Sequence, residues 1–291
     1  MNEALFRGTA TALITPFTED GIDYPALERL LQMQMEAKVP ALVVTGTTGE
    51  ASTLSIDEKI ALWRYCVYHV GSACEIIAGI GSNSTEASVS MAKIAAACGV
   101  DGLLAVTPYY NKCTQEGLIA HYTAIANATS LPLILYNVPS RTGVNLTADT
   151  CARLATHPHI HGIKEASGNL SQIAHILAES NTHLWSGNDD QTVPVISLGG
   201  DGVISVLSNL CPRAMVKMTE AALRGDYETA AALQLQYLPL MDAMFCEVNP
   251  IPIKFALHRL GLCENILRLP LMPLSKAGEA KVLAAMEHCL H

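Results

Sequence analysis

The chain has 291 residues, half of them hydrophobic and only 15% charged, enough to bury a sizeable core as one large domain or two ordinary ones. Its net charge of −9 and pI near 5.5, with no cluster of Lys and Arg, argue against a phosphate-backbone footprint and so against nucleic acid as a partner. Mean hydropathy is high at +0.27, yet no apolar run reaches the roughly 18 residues that cross a bilayer; the excess is expected to form subunit interface in a homo-oligomer.

The N-terminal "MNEALFRGTATALITPF" is acidic before it is apolar, so no secretory leader is expected. Short β-like runs then recur with helical text between them. They are "GTATALITPF" (8–17), "ALVVTG" (41–46), "EIIAGIG" (75–81), "GLLAVTPYY" (102–110), "PLILYNVP" (132–139), "HIHGIKEAS" (159–167), "HLWSGN" (183–188) and "GVISVLSN" (202–209). They are nearly continuous in apolar residues, which suits parallel strands covered by helices on the outside. The intervening "DYPALERLLQMQMEAK", "SIDEKIALWRYCVYHV" and "STEASVSMAKIAAACG" open on Asp or Ser caps, and the last closes on Gly99. Eight such units without a composition break predict an α/β fold, the (β/α)8 barrel, over residues 1–224. A doubly wound sheet would usually carry G-x-G-x-x-G after its first strand, and "GTATALITPF" has none. After residue 224 the text reads as wholly helical, predicting a C-terminal helical appendage over 225–291. The nine cysteines form no C-x-x-C pair and sit mostly in apolar helical text, which predicts reduced, buried thiols and a cytoplasmic location.

In such barrels the reactive groups stand at the C-terminal ends of the strands. Those ends here read "GTTGE", "TPYYN", "YNVPSRTG", "KEASG", "SGNDD" and "GVIS". Lys164, in "KEASG", is the conspicuous one. Lysine is strongly hydrated and rarely buried, and burial favours its neutral amine, which attacks ketones and aldehydes to form a Schiff base. Lys164 is therefore the candidate nucleophile. Lys254 in "NPIPIKFALHRLG" is the rival, but its amphipathic helical text predicts a side chain that snorkels to water. The turn 46–50 offers backbone N–H groups to a carboxylate or a phosphate, and Thr47 and Thr48 either add hydroxyl donors or are plain caps. Tyr136 is placed to move protons if it bonds Thr47, or else is a satisfied core tyrosine. Arg141 either grips a carboxylate bidentately or makes a surface ion pair. His157, His159 and His161 alternate, but they stand at the N-terminal end of the sixth strand, away from the mouth; no metal site is expected.

These motifs, in this order and at these spacings, together with "GGDGVIS" and "NPIPIK", resemble the dihydrodipicolinate synthase family from about residue 6 to beyond 270. The resemblance implies a pyruvate-dependent Schiff-base aldolase on a (β/α)8 barrel, working without a cofactor. It implies that Lys164 condenses with pyruvate while the backbone of Thr47 and Thr48 holds the pyruvate carboxylate and Gly187 and Ile204 line the pocket. Tyr136 would relay protons with Thr47 and with Tyr110, a tyrosine lent by a neighbouring subunit. The enamine would attack L-aspartate-4-semialdehyde, whose carboxylate lies against Arg141, in a homotetramer built as a dimer of dimers. Lysine-sensitive relatives carry His, His and Glu where this chain has Ile56, Lys59 and Ala87. Asn83 and Tyr109 match that regulatory pocket, but weak or absent inhibition by lysine is expected. The alternatives are a sialic-acid lyase or sugar-acid aldolase of the same wider family, a barrel that has lost catalysis and serves as a binding protein, and a metal-dependent barrel hydrolase.

Overall fold

The eight apolar runs become eight parallel strands, each hydrogen-bonded to its neighbours in chain order until the last closes on the first. In this computed structural model, which describes residues 3–290, the barrel strands are β1 Gly8–Ala12, β2 Ala41–Val44, β3 Glu75–Gly79 and β4 Gly102–Val106. They continue as β5 Leu133–Asn137, β6 Ile160–Glu165, β7 His183–Ser186 and β8 Gly202–Ser205. The outer ring comprises α1 Tyr24–Glu36, α2 Ile56–Val70, α3 Thr85–Ala97, α4 Gln115–Ala126, α5 Ala148–Leu154, α6 Leu170–Glu179, α7 Thr192–Ser197 and α8 Pro212–Leu223. A small antiparallel pair, Phe17–Thr18 with Gly21–Ile22, fills the loop after β1.

The helix starts follow from their caps. Asp23 accepts from the backbone N–H of Ala26, and Ser84 from that of Ala87. Ser55 and Glu58 form a reciprocal capping box at the start of α2. Gly99, at φ +82°, turns the chain out of α3 in a conformation that costs glycine little.

Period-two alternation divides the strand residues into two cores. Ala10, Ala12, Ala41, Val43, Ile77, Leu104, Ile134, Tyr136, Trp185 and Ile204 fill the barrel interior. Leu42, Ile76, Leu103, Leu133, Leu135, Ile163 and Leu184 pack outward against the helices. Phe6, just before β1, stacks on Trp185 with ring centroids 4.8 Å apart, so the barrel interior is closed by an aromatic pair.

Beyond α8 come α9 Tyr227–Ala243, α10 Ile251–Arg259 and α11 Lys276–Leu290. The text after 224 is thus not wholly helical. Residues 260–275 are irregular, because Gly261 turns at φ +71° after α10 and Pro270 and Pro273 remove the N–H groups a helix there would need. No helix among the described residues is long and apolar enough to cross a membrane.

Candidate active site

Alternation along β6 turns Ile163 outward and Lys164 inward, beside its register partners Tyr136 on β5 and Trp185 on β7. Lys164 is only 5% exposed, and its Nζ lies 4.4 Å from the centroid of the Tyr136 ring. Burial lowers its pKa from the ordinary 10.5 to about 8; the Asp189 carboxylate partly opposes this, and the Arg141 guanidinium adds to it. A group with that pKa is a ready supply of neutral amine near neutral pH.

Gly187 sits directly on the lysine stem. A Cβ there would stand 3.1 Å from Lys164 Cε and 2.6 Å from Ala166 Cβ, so glycine keeps the space around the amine open. Ile204 is fully buried in β8, in the same interior cluster as Tyr136. Across the mouth, the turn after β2 carries Thr47 half-buried and Thr48 buried. The turn is backbone-strained. Thr45, a β-branched residue, holds φ +59° and Glu50 φ +54°. Trp63 Nε1 donates to Thr45 Oγ1 at 2.9 Å, and the buried Thr45 side chain is thereby fixed.

Tyr136 is buried and its hydroxyl hydrogen-bonds Thr47; burial raises its pKa despite that bond and the nearby Arg141, so the phenol keeps its proton at neutral pH. Arg141 lies exposed in the short helix Pro139–Thr142 after β5 and donates from Nη2 to the backbone oxygen of Asn249 at 3.3 Å. The structure thus brings Lys164, Tyr136, Thr47, Thr48, Arg141, Gly187 and Ile204 to one mouth. Tyr110 is apart: it is 91% exposed, in the loop after β4, with its backbone at φ +70°.

The model of the dihydrodipicolinate synthetase family matches residues 5–289. The chain belongs to this family. It is 47% identical over 285 residues to the 4-hydroxy-tetrahydrodipicolinate synthase of Alkaliphilus oremlandii, covering 97% of this chain and 98% of that one. It superposes with TM-score 0.96 and 42% identity on the dihydrodipicolinate synthase of Thermotoga maritima, covering 98% of this chain and 99% of that one. The same score, identity and coverage hold for the chloride-inhibited dihydrodipicolinate synthase of Acinetobacter baumannii, solved in complex with pyruvate.

In this member of the dihydrodipicolinate synthetase family, Lys254 does not snorkel to water. It is fully buried in α10, ion-paired through Nζ with Glu50 of the strained turn, donating to the Ile266 carbonyl at 2.9 Å and lying over the Phe17 ring. The amphipathic reading failed because the irregular segment 260–275 covers the face that a lone helix would expose. Lys254 therefore braces the turn, and Lys164 alone of the two lysines borders the mouth.

Three polar residues of the site have no role in the motif reading. Asp189, two residues beyond Gly187, is buried and accepts at Oδ2 from the backbone N–H groups of Val206 and Leu207 at 3.0 and 2.9 Å. Glu165 accepts from the side chains of Asn137 and Gln172 and from the Ser167 backbone. Asn249 belongs to "NPIPIK" and reaches Thr48 from the appendage. Only its place in that motif hinted at it.

The three histidines do not form a row. His157 and His159 precede β6 and bond Asn127 and the Ala126 carbonyl at the end of α4, and only His161 lies in the strand. Among the described residues, no group of three or more His, Cys, Asp or Glu is placed to hold a metal ion. All nine cysteines are free thiols, with Cys113 and Cys246 half-buried and the others buried. Of the three residues that the resemblance sets against the regulatory contacts of lysine-sensitive relatives, Ile56 and Ala87 are exposed and Lys59 is half-buried, its pKa lowered by that burial.

Proposed function

We propose that this protein condenses pyruvate with L-aspartate-4-semialdehyde, without a cofactor, to give 4-hydroxytetrahydrodipicolinate, the product that its relatives, named 4-hydroxy-tetrahydrodipicolinate synthase, carry in their name. The observation that carries the reading is a buried lysine of depressed pKa, at the end of an inner strand, facing a tyrosine bonded to the carboxylate-binding turn. Lys164 Nζ forms a bond to C2 of pyruvate, and the ketone oxygen leaves as water after two proton transfers through the Tyr136 phenol. The turn at Thr47 and Thr48 holds the pyruvate carboxylate against its N–H groups. Loss of a proton from the methyl group gives the enamine, whose C3 attacks the aldehyde carbon. The amine of the semialdehyde then adds to the imine carbon and displaces Lys164, closing the ring and restoring the free enzyme.

Arg141 stands at the rim, suited to a second carboxylate, and separates this reading from the sugar-aldehyde lyases of the wider family. Tyr110, exposed and backbone-strained in the single chain, fits a residue that completes the relay of a neighbouring subunit, in a homotetramer built as a dimer of dimers. The free thiols fit a cytoplasmic setting.

Turnover with pyruvate and a panel of aldehydes, including L-aspartate-4-semialdehyde and N-acetylmannosamine, tests the reading. The semialdehyde is the expected preference, and Arg141→Ala should raise KM for it more than for pyruvate. Preference for the sugar aldehyde overturns the substrate assignment and leaves Lys164 as nucleophile. Activity lost to a strong chelator and restored by a divalent metal would move the protein to the metal-dependent hydrolases.

A further inference from the structure

Asn249, two residues before the start of α10, is 5% exposed and touches both candidate carboxylate grips at once. Its side-chain Nδ2 donates to Thr48 Oγ1 at 3.0 Å. Its backbone oxygen accepts from Arg141 Nη2 at 3.3 Å. A few residues on, Lys254 of the same segment pairs with Glu50 at the far end of the turn that carries Thr48. The C-terminal appendage thus holds the turn at two points, and only the Asn249 contact falls on a candidate substrate-binding residue.

The direction of that hydrogen bond matters. A threonine hydroxyl has one proton and two lone pairs. When an amide N–H fills a lone pair, the proton is released to seek another acceptor. The acceptor that arrives in this mouth is the pyruvate carboxylate, and a hydroxyl donating to a charged oxygen makes the stronger kind of bond. Asn249 Oδ1, meanwhile, is buried and accepts from no group among the described residues. A residue kept for packing alone would not leave a buried acceptor open at that cost.

We propose that Asn249 is a positioning residue that orients the Thr48 hydroxyl so that its proton points at the pyruvate carboxylate. The inference rests on the Schiff-base reading above and deepens it: the appendage outside the barrel sets the affinity for the first substrate.

The test is trapping of the Lys164–pyruvate adduct with borohydride, read by intact mass as a function of pyruvate concentration. Asn249→Ala should raise half-saturating pyruvate about tenfold, the scale of one charge-assisted hydrogen bond. Thr48→Val should do the same, and the double variant should be no worse than Thr48→Val alone, because the amide then has no hydroxyl to orient. In a Thr48→Ser background, which keeps the oxygen, the Asn249→Ala loss should return. A merely structural role would give losses that multiply in the double variant, to about a hundredfold. That result, or a wild-type response in Asn249→Ala, overturns the proposal. Should Asn249→Ala fail to fold, the near-isosteric Asn249→Asp serves. Its carboxylate can only accept, so it takes the Thr48 proton for itself, and pyruvate affinity should fall further than tenfold; an unchanged affinity overturns the idea. A wild-type protein that pyruvate and borohydride do not label would instead remove the Schiff-base reading itself, a distinct outcome.

Discussion

Replacing Lys164 with methionine should stabilise the protein at neutral pH, and the gain should fade as the solution becomes alkaline. The folded amine titrates at about 8 and the unfolded one near 10.5. Between those values the unfolded chain binds more protons than the folded one, so stability rises with pH across that window. Below pH 8 the full penalty applies, and a depression of this size corresponds to about 3 kcal/mol. By pH 9.5 roughly 60% of it has been lifted. Methionine has nearly the same length and no charge, so it removes the penalty while keeping most of the contact with Tyr136. Any packing difference it introduces is independent of pH and cancels when the gap between variant and wild type is compared at two pH values. Urea melts of both proteins at pH 7 and 9.5 measure that gap. The variant's advantage should shrink by about 2 kcal/mol between them, which in thermal melts is a narrowing of several degrees. A gap that stays constant or widens would refute the argument, because it would mean that burial does not depress this amine.

Gly187→Ala should slow adduct formation about tenfold or more, since the new Cβ must displace either the Lys164 stem or Ala166, an overpacking cost of about 1–3 kcal/mol; a wild-type trapping rate would contradict the close approach. Lys254→Met should act in the opposite sense to Lys164→Met, destabilising the fold by about 3–5 kcal/mol because Glu50 is left buried without its cation. Adding Glu50→Gln should recover part of that loss in the same urea melts, and no recovery would show that the pair is not the cause. L-Lysine at millimolar concentration should inhibit turnover weakly or not at all, because Ile56, Lys59 and Ala87 stand where the resemblance sets the His, His and Glu of lysine-sensitive relatives; half-inhibition at submillimolar lysine would disprove it.

The barrel was legible because each strand is buried on both faces and so writes itself as a continuous apolar run. The mouth was legible because the strand ends interrupt those runs with polar motifs. What the runs do not carry is facing. Ile163 and Lys164 are adjacent letters, and only the barrel register turns one to the helices and the other to the catalytic mouth. Long-range partners were equally hidden. Nothing local to "NPIPIKFALHRLG" announces that its lysine will meet Glu50 or that its first asparagine will meet Thr48, since both contacts form only when the appendage folds back over the turn after β2.

The two lysines make the general point. Both are buried and both have lowered pKa values from desolvation. What separates them is pairing. Lys254 has a carboxylate in direct contact and a carbonyl to complete its hydrogen bonds, so its burial is compensated and its proton held. Lys164 has a tyrosine face, Asp189 only at longer range, and a glycine that leaves room beside its stem. A buried amine with little compensation and open space next to it can lose its proton and then form a bond. The Schiff-base chemistry proposed for this barrel therefore falls to the lysine that the fold supports less well.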